Sequence, residues 1–184
     1  PTRVQGSSTL LLQDCAPNAQ HVKLVFPARD NMPKVAMPEV EVHWYDGGMM
    51  PDRPEGFPQG KELMGEGGGL CIFHGTKDTL ICGCYGVNPW LLSGRKPNVP
   101  QTLRRVKDAM KGGHEQDWIR ACKESAGSRV QTKSNFLEAG PFNEMVVMGV
   151  LAVRLQRLNK ELLWDGPNMR FTNIDPNETI KIIK

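Results

Sequence analysis

The chain has 184 residues, of which 39% are hydrophobic and 23% are charged, and this composition is that of a globular protein and excludes disordered and fibrous classes. Its net charge of +3 comes from 23 basic and 20 acidic residues, and the basic residues are dispersed apart from groups at positions 104–107 and 181–184. A nucleic-acid-binding surface would cluster them more strongly, so we expect no nucleic-acid partner.

Apolar segments and cysteines bear on where the protein works. The longest apolar run, residues 145–155, contains Gly149 and Arg154, so we expect no membrane span. The five cysteines are odd in number and dispersed, which favours free, mostly buried thiols and a reducing compartment such as the cytoplasm. The chain begins at Pro1 without an initiator methionine, so we expect a processed product or part of a longer protein, and a periplasmic location stays open if a leader precedes it.

Three strands are predicted in the first quarter of the chain, at residues 3–12, 20–26 and 39–45. In the third, Val40, Val42 and Trp44 alternate with more polar residues, so these apolar side chains are expected on a buried face. In the second strand, His21 and Lys23 face away from the apolar positions.

Stretches rich in proline and glycine follow. Residues 27–38 and 46–60 cannot continue a helix or a strand ladder, and they predict two long loops. Residues 69–73 and 79–85 are short strands, and residues 75–78 between them have the composition of a hairpin turn. The sheet is therefore predicted to be largely antiparallel.

Helical spacing first occurs at residues 114–125, where His114, Trp118 and Cys122 fall on one stripe of an amphipathic helix. A longer helix is predicted to start near Pro141, a favoured first-turn residue, and to end near Leu158. Because its middle is apolar nearly all round, we expect it to be the buried spine of the fold.

The last part of the chain predicts small elements: a strand at 160–164, a turn at 165–168, an extended piece at 169–172 and a terminal helix at 176–184. Strands precede helices, and this order favours α+β over alternating βαβ units. We therefore predict one α+β domain over residues 1–184, with a largely antiparallel open sheet and helices packed on one face.

Two compact clusters invite a ligand-binding interpretation, and for both we favour a structural one. The glycines within residues 65–69 resemble a phosphate-binding loop, but a dinucleotide fingerprint needs glycine where Leu70 stands and a helix after it, whereas a strand follows. Cys82 and Cys84, with His74 across the hairpin, are the compact candidate for a metal, but no second Cys-x-Cys or Cys-x-x-Cys pair completes a tetrahedral site. We expect a tight turn, buried cysteines and no metal.

No Gly-x-Ser-x-Gly motif indicates nucleophilic catalysis. His21 and His43 occupy polar strand positions and are expected to be surface residues, whereas His114 follows two glycines at a helix start, where a capping or packing role is favoured. Aromatic and amide groups at residues 85–90 and 134–136 either line a site for a hydroxyl-rich ligand or pack their loops onto the core. These two alternatives stay open.

Longer segments carry a more specific pattern. They are residues 26–29 (FPAR), 44–48 (WYDGG), 85–92 (YGVNPWLL), 114–123 (HEQDWIRACK), 134–136 (SNF), 140–145 (GPFNEM) and 162–173 (LLWDGPNMRFTN). In order and residue type they resemble the C-terminal domain of bacterial Gfo/Idh/MocA oxidoreductases, the relatives of glucose-fructose oxidoreductase and inositol dehydrogenase. The resemblance covers most of the chain.

The resemblance implies a two-domain enzyme, in which an N-terminal Rossmann domain holds NAD or NADP and this α+β domain binds substrate and pairs subunits. The Rossmann domain and the family's Glu-Lys-Pro motif, which carries its catalytic lysine, are not in this sequence. The family's Asp and His pair, four residues apart after a glycine, would lie just upstream of Pro1. We therefore expect this chain alone to be inactive and the cofactor to be bound mainly by the other domain.

Tyr85, His114 and Asn135 match the resemblance in position and suit hydroxyl-rich ligands, so they are expected to bind a sugar or cyclitol, while no catalytic, cofactor-binding or metal residue is assigned here. The hypothesis is the substrate-binding and oligomerisation domain of an NAD(P)-dependent oxidoreductase, which forms a homo-oligomer through its sheet face. Two alternatives stay open: a non-catalytic carbohydrate-binding or scaffold module, and part of an NAD-dependent glycosidase.

Overall fold

Eight strands and two α-helices form in the part of the chain that the structure, a computed structural model, describes: residues 1–12, 14–31, 37–63, 68–96, 98, 100, 106–107 and 111–178. In chain order they are β1 (Arg3–Thr9), β2 (Ala19–Phe26), β3 (Val40–Tyr45), β4 (Leu70–His74), β5 (Thr79–Gly83), β6 (Trp90–Leu91), α1 (Gly113–Lys123), α2 (Phe136–Arg154), β7 (Leu162–Asp165) and β8 (Arg170–Phe171). A 3₁₀ helix, Gln156–Leu158, follows α2. The fold is therefore mixed α+β with antiparallel sheets, as the sequence predicts.

The chain divides into two compact units. One comprises Pro1–Met50 with Arg105–Lys184, and the other comprises Pro51–Arg104. The single domain expected over residues 1–184 stays a prediction.

The first unit is built on a five-stranded antiparallel sheet with the strand order β3-β2-β1-β7-β8. β1 and β2 pair from Arg3 opposite Val25 to Thr9 opposite Ala19. β2 pairs with β3 from His21 opposite Tyr45 to Phe26 opposite Val40. The strands predicted in the first quarter of the chain are confirmed, although β1 ends three residues before the predicted limit at position 12.

The core of this unit lies between the sheet and α2. Its buried members are Val4, Val22, Leu24, Met148, Ala152, Val153, Leu155 and Leu162. The two layers approach closely at Gly6, where an added Cβ would lie 2.7 Å from the backbone nitrogen of Val153. Full burial of an aliphatic side chain contributes about 1.5–3 kcal/mol relative to exposure, so this sheet–helix interface is a major source of stability.

α2 begins at Phe136, five residues before Pro141, so the predicted helix start is wrong. The side-chain oxygen of Asn135 accepts hydrogen bonds from Leu137 N at 2.9 Å and Glu138 N at 3.3 Å, and these are amides that a helix start leaves without intrahelical partners. Pro141 lies in the second turn and lacks the N–H that would bond the Leu137 carbonyl. The Asn135 cap stabilises the start of the helix against this loss.

β3 is an edge strand, and its apolar face is open among the described residues. Trp44 is 59% exposed and Val42 is 38% exposed, so the expectation that they lie on a buried face is wrong. The alternation itself holds, because His43 lies on the opposite face beside His21. α2 packs over β1 and β2, and this leaves the apolar side of the outer strand uncovered.

The second unit contains the antiparallel sheet β4-β5-β6, which confirms the predicted hairpin. Its turn is closed by a hydrogen bond from Gly75 N to Asp78 O at 3.0 Å. Phe57, Leu63 and Ile81 form a small buried core on one face of this sheet.

The five cysteines all lie in the described ranges, and no disulfide joins them. Cys82 is buried, but Cys15 and Cys122 are exposed, so the prediction of mostly buried thiols is wrong. Cys15 lies in the loop between β1 and β2, and Cys122 lies on the outward side of α1. Cys71 is directly opposite Cys82, and burial, followed by the neighbouring Cys82, raises the pKa of Cys71.

By length and composition α2 meets the requirement for a membrane span, with a mean hydropathy of 1.4. Core helices of folded domains pass the same test, and Met148, Gly149, Ala152 and Val153 of α2 are buried within this unit. The absence of a span stays a prediction.

Some sequence predictions lie outside the described residues. They concern residues 65–67 of the glycine cluster, residues 104–105 of the first basic group, and residues 179–184 of the terminal helix with its basic residues 181–184.

Candidate functional site

The first unit contains a groove of about 510 Å³ between α1, the segment that follows α1, and the first turn of α2. Its lining residues are Trp118, Ala121, Cys122, Arg129, Gln131, Thr132, Asn135, Phe136 and Leu137. Ligand sites typically have volumes of about 300–1,000 Å³, so a groove of this size suits one or two sugar rings. We therefore treat it as the candidate functional site.

Two aromatic side chains of the groove have most of their surface exposed. Trp118 is 62% exposed, Phe136 is 88% exposed, and the neighbouring Leu137 is also exposed. Large side chains of this kind are usually buried, and a group of them on one surface is typical of a binding site. The groove therefore offers ring faces and apolar contact to a ligand.

The exposure of Trp118 follows from the way α1 is rotated. The stripe of α1 that is buried consists of Gly113, Asp117 and Ala121, and not of the predicted stripe that contains Trp118 and Cys122. The predicted stripe, which consists of His114, Trp118 and Cys122, is thus displaced by one residue from the stripe that is buried. The amphipathic helix is confirmed, but its tryptophan and cysteine face the groove and solvent.

A polar network holds the segment after α1 in place. Asp117 is only 7% exposed, and its Oδ1 accepts hydrogen bonds from Arg120 Nε at 3.2 Å and Nη2 at 3.1 Å, while its Oδ2 accepts from Lys133 N at 3.1 Å. Arg120 also donates to Glu124 and, at 2.9 Å, to the carbonyl of Val130. The hydrogen bond from Arg120 and then that from Val130 N lower the pKa of Glu124.

This network was missed in the sequence analysis. The signal was available, because Asp117 and Arg120 are three apart, and Arg120 and Glu124 are four apart, which are the spacings of side-chain pairs on one helix face. The backbone partners at positions 130 and 133 carried no comparable signal, since a loop has no fixed periodicity.

Asn135, one of the three predicted ligand-binding residues, lines the groove. Its Oδ1 accepts the two capping hydrogen bonds of α2, and its Nδ2 donates to the carbonyl of Thr132 at 2.8 Å. An amide side chain has two acceptor sites and two donor hydrogens, so one N–H of Asn135 is left to offer to a ligand.

His114, the second predicted residue, is exposed at the start of α1. Its Nδ1 lies 2.9 Å from Ser134 Oγ, and this contact joins the start of α1 to the residue just before Asn135. His114 does not line the groove itself. The structure thus brings His114 and Asn135 into one local framework through Ser134.

Tyr85, the third predicted residue, belongs to the second unit and is exposed after β5. The turn that follows places Gly86 at a φ of +70°, a conformation that glycine adopts without strain. Within the same segment Trp90 is half-buried and packs against Phe57, with 5.8 Å between ring centroids. For Trp90 the structure favours the packing alternative.

A histidine cluster lies on the face of the five-stranded sheet opposite α2. His21 Nε2 is 3.0 Å from His43 Nδ1, and His43 Nε2 is 3.2 Å from a carboxylate oxygen of Glu41. The ring of Tyr45 lies 4.5 Å from that of His21. Burial, followed by the nearby His43 and Lys23, lowers the pKa of His21, and the hydrogen bond with His43 lowers the pKa of Glu41.

Metal ligation has little support in the part of the chain that the structure describes. Among those residues, no group of three or more His, Cys, Asp or Glu side chains converges on a point where a metal ion could sit.

The cross-strand pairing of Cys71 with Cys82 was not predicted, because register depends on the turn geometry and not on the spacing of the cysteines alone.

Comparison with known protein families finds no family model that matches the chain. A search of curated proteins likewise finds no significant match.

Proposed function

We propose that the chain is the substrate-binding and oligomerisation domain of an NAD(P)-dependent oxidoreductase that acts on a sugar or cyclitol, with a fold like the C-terminal domain of Gfo/Idh/MocA oxidoreductases. The observation that carries this proposal is the groove beside α1, where exposed rings and amide side chains surround a volume suited to a sugar ring. The sequence resemblance, which includes residues 114–123 and 134–136 around this groove, supports it.

The lining of the groove matches the chemistry of a hydroxylated ring. Such a ring has faces made of C–H groups, which pack against aromatic faces, and a rim of hydroxyl groups, which pair with amides. Trp118 and Phe136 supply the aromatic surface, and Gln131 and Asn135 supply the amides.

The nicotinamide cofactor would supply the hydride acceptor or donor, and the resemblance assigns its binding to a Rossmann domain outside this sequence. The contribution of this chain would be to bind and orient the substrate. His114 is proposed as a further polar contact for the substrate, because it is exposed and is held by Ser134 next to Asn135.

The outward side of α2 supports the proposal that another domain or subunit covers this unit. Phe142, Val146, Val147 and Val150 are all exposed on it. An apolar stripe of this kind is typical of an interface.

The face of the five-stranded sheet that points away from α2, which carries the histidine cluster, is proposed as the surface for pairing with a second copy.

Calorimetric titration tests sugar binding directly. We expect glucose, galactose or myo-inositol to bind the chain, and Trp118→Ala to weaken binding by roughly 2- to 13-fold, since an aromatic contact contributes about 0.5–1.5 kcal/mol. Phe142→Ala is the matched control, because Phe142 is an exposed aromatic residue that does not line the groove. Equal affinity of the Trp118 variant and the wild type would refute the assignment of the groove.

The oxidoreductase part has a separate test. The protein encoded by the complete reading frame should reduce NAD or NADP with the sugar that binds the groove, and alanine variants of His114 and Asn135 should show weaker substrate affinity. A full-length protein that binds the sugar without any nicotinamide-dependent turnover would instead favour a non-catalytic carbohydrate-binding module, which the groove alone supports equally well.

A further inference from the structure

We propose that the groove beside α1 recognises an anionic sugar, a sugar acid whose carboxylate pairs with Arg129. This inference rests on the proposed function, since it assigns the substrate class of the same groove. The observation behind it is that the guanidinium of Arg129 lines a groove whose other side chains are uncharged.

Arg129 is the charged member of the groove lining, all nine residues of which lie in the described part of the chain. Its side chain is exposed. Within that part of the chain, its hydrogen bond is from Nη2 to the carbonyl oxygen of Glu124, at 3.3 Å, which is long for a charged donor. A guanidinium has five N–H donors, so most of its bonding capacity stays available to a ligand.

Two carboxylates of this segment are bonded to other donors. Glu124 accepts hydrogen bonds from Arg120 at one oxygen and from Val130 N, at 2.9 Å, at the other. Asp117 accepts from Arg120 and from Lys133 N. The positive charge of Arg129 contributes to lowering the pKa of Glu124, but the hydrogen bond of Arg129 goes to the Glu124 carbonyl, so the other N–H donors of its exposed guanidinium can bind the carboxylate of a ligand.

A carboxylate is the anion that this geometry fits. The planar guanidinium fork matches the two carboxylate oxygens in a bidentate pair, and such charge-assisted bonds are about twice as strong as neutral ones. A ring that stacks on Trp118 or Phe136 while its carboxylate reaches Arg129 is a hexuronate or a similar sugar acid. The groove volume of about 510 Å³ accommodates one such ring with its hydration.

The test compares matched sugars on the same chain by calorimetry at low salt. Glucuronate and galacturonate are titrated against glucose and galactose, and glucose 6-phosphate is a third arm. We expect the hexuronates to bind about tenfold tighter than the neutral sugars, with the difference shrinking as salt is raised from about 0.01 M to about 0.5 M.

Variants assign the preference to one side chain. Arg129→Gln should bring the hexuronates down to the affinity that the same variant has for the neutral sugars. Arg129→Lys should retain part of the preference, because it keeps the charge and loses the planar fork. The matched control is Arg170→Gln, an exposed arginine of the same unit that does not line the groove and that should keep the full preference.

Several results would overturn the inference. They are hexuronates binding no tighter than neutral sugars, a preference that survives in Arg129→Gln, or tightest binding of glucose 6-phosphate, which would assign the anion to phosphate. Neutral sugars that bind without a hexuronate preference would refute this inference and leave the proposed function intact. Failure of every sugar to bind would refute both.

Discussion

Replacement of Gly6 by alanine tests the closeness of the sheet and α2. A methyl group at this position would lie 2.7 Å from the backbone nitrogen of Val153 and 2.9 Å from the backbone carbon of Ala152. Both are backbone atoms of a helix, so neither can move away by changing a rotamer. α2 itself must shift for alanine to fit.

The size of the effect follows from two opposed contributions. Separation to the ~3.5 Å of ordinary carbon contact requires a shift of about 0.8 Å, and a gap of that size forfeits roughly a quarter to a half of the local dispersion energy. Overpacking of this kind costs about 1–3 kcal/mol, whereas removing glycine from the unfolded chain stabilises by about 0.4–1 kcal/mol. The overpacking contribution is larger, so we expect Gly6→Ala to lower the free energy of unfolding by about 1–2 kcal/mol.

Urea unfolding followed by circular dichroism measures this change, and Gly127→Ala is the control. Gly127 is exposed in the loop after α1, and no heavy atom beyond its chain neighbours lies within 4 Å of an added Cβ, so alanine there should leave the stability unchanged or raise it by about 0.4–1 kcal/mol. A Gly6→Ala variant as stable as the wild type would refute the tight sheet–helix contact.

Two further predictions concern single side chains. Asn135→Ala loses both capping bonds and the bond to the Thr132 carbonyl, whereas Asn135→Asp keeps the two capping bonds and loses only the bond to Thr132. In urea titrations Asn135→Asp should therefore retain about 1 kcal/mol more of the free energy of unfolding than Asn135→Ala, and equal losses in both would contradict the cap. Burial is the main cause that lowers the pKa of His21 in the folded state below its unfolded value of 6.5. As the pH falls below the unfolded value, the unfolded chain takes up a proton before the folded protein does. The contribution of His21 to stability is therefore fully present above the unfolded pKa and is lost as the pH falls through the folded pKa. His21→Gln should therefore make the thermal melting temperature depend less on pH between about 7 and 5 than it does in the wild type, and an unchanged profile would refute the coupling.

Local sequence patterns predicted where the strands and helices lie better than they predicted which side chains are buried. The alternation in β2 correctly separates Val22 and Leu24 from His21, because period two is a property of the strand itself. The same alternation in β3 gave the right two faces and the wrong burial for Trp44, since burial there depends on how far α2 extends over the sheet. The start of α2 was misplaced because a proline was weighed above an asparagine cap.

The site was less predictable than the fold. Segment 134–136 was selected by its amide and aromatic residues, and Asn135 and Phe136 do line the groove. Arg129 was not selected, since a lone arginine in a loop has no spacing to distinguish it from other surface cations. Only the tertiary path of residues 124–133 brings it beside Trp118.

The buried carboxylate of Asp117 explains why the groove is lined by Trp118. A helix of eleven residues buries one narrow stripe, and in α1 that stripe passes through Asp117, whose oxygens are held by Arg120 and by Lys133 N. Because the side chain of Asp117 points into the protein, that of Trp118, the next residue, points outward. The hydrogen bond from Lys133 N to Asp117 also holds the segment that carries Arg129 beside α1. Burial of an acidic residue in place of a tryptophan costs hydrophobic stabilisation, and departures of this kind from the ordinary burial pattern are expected where a surface is used for binding.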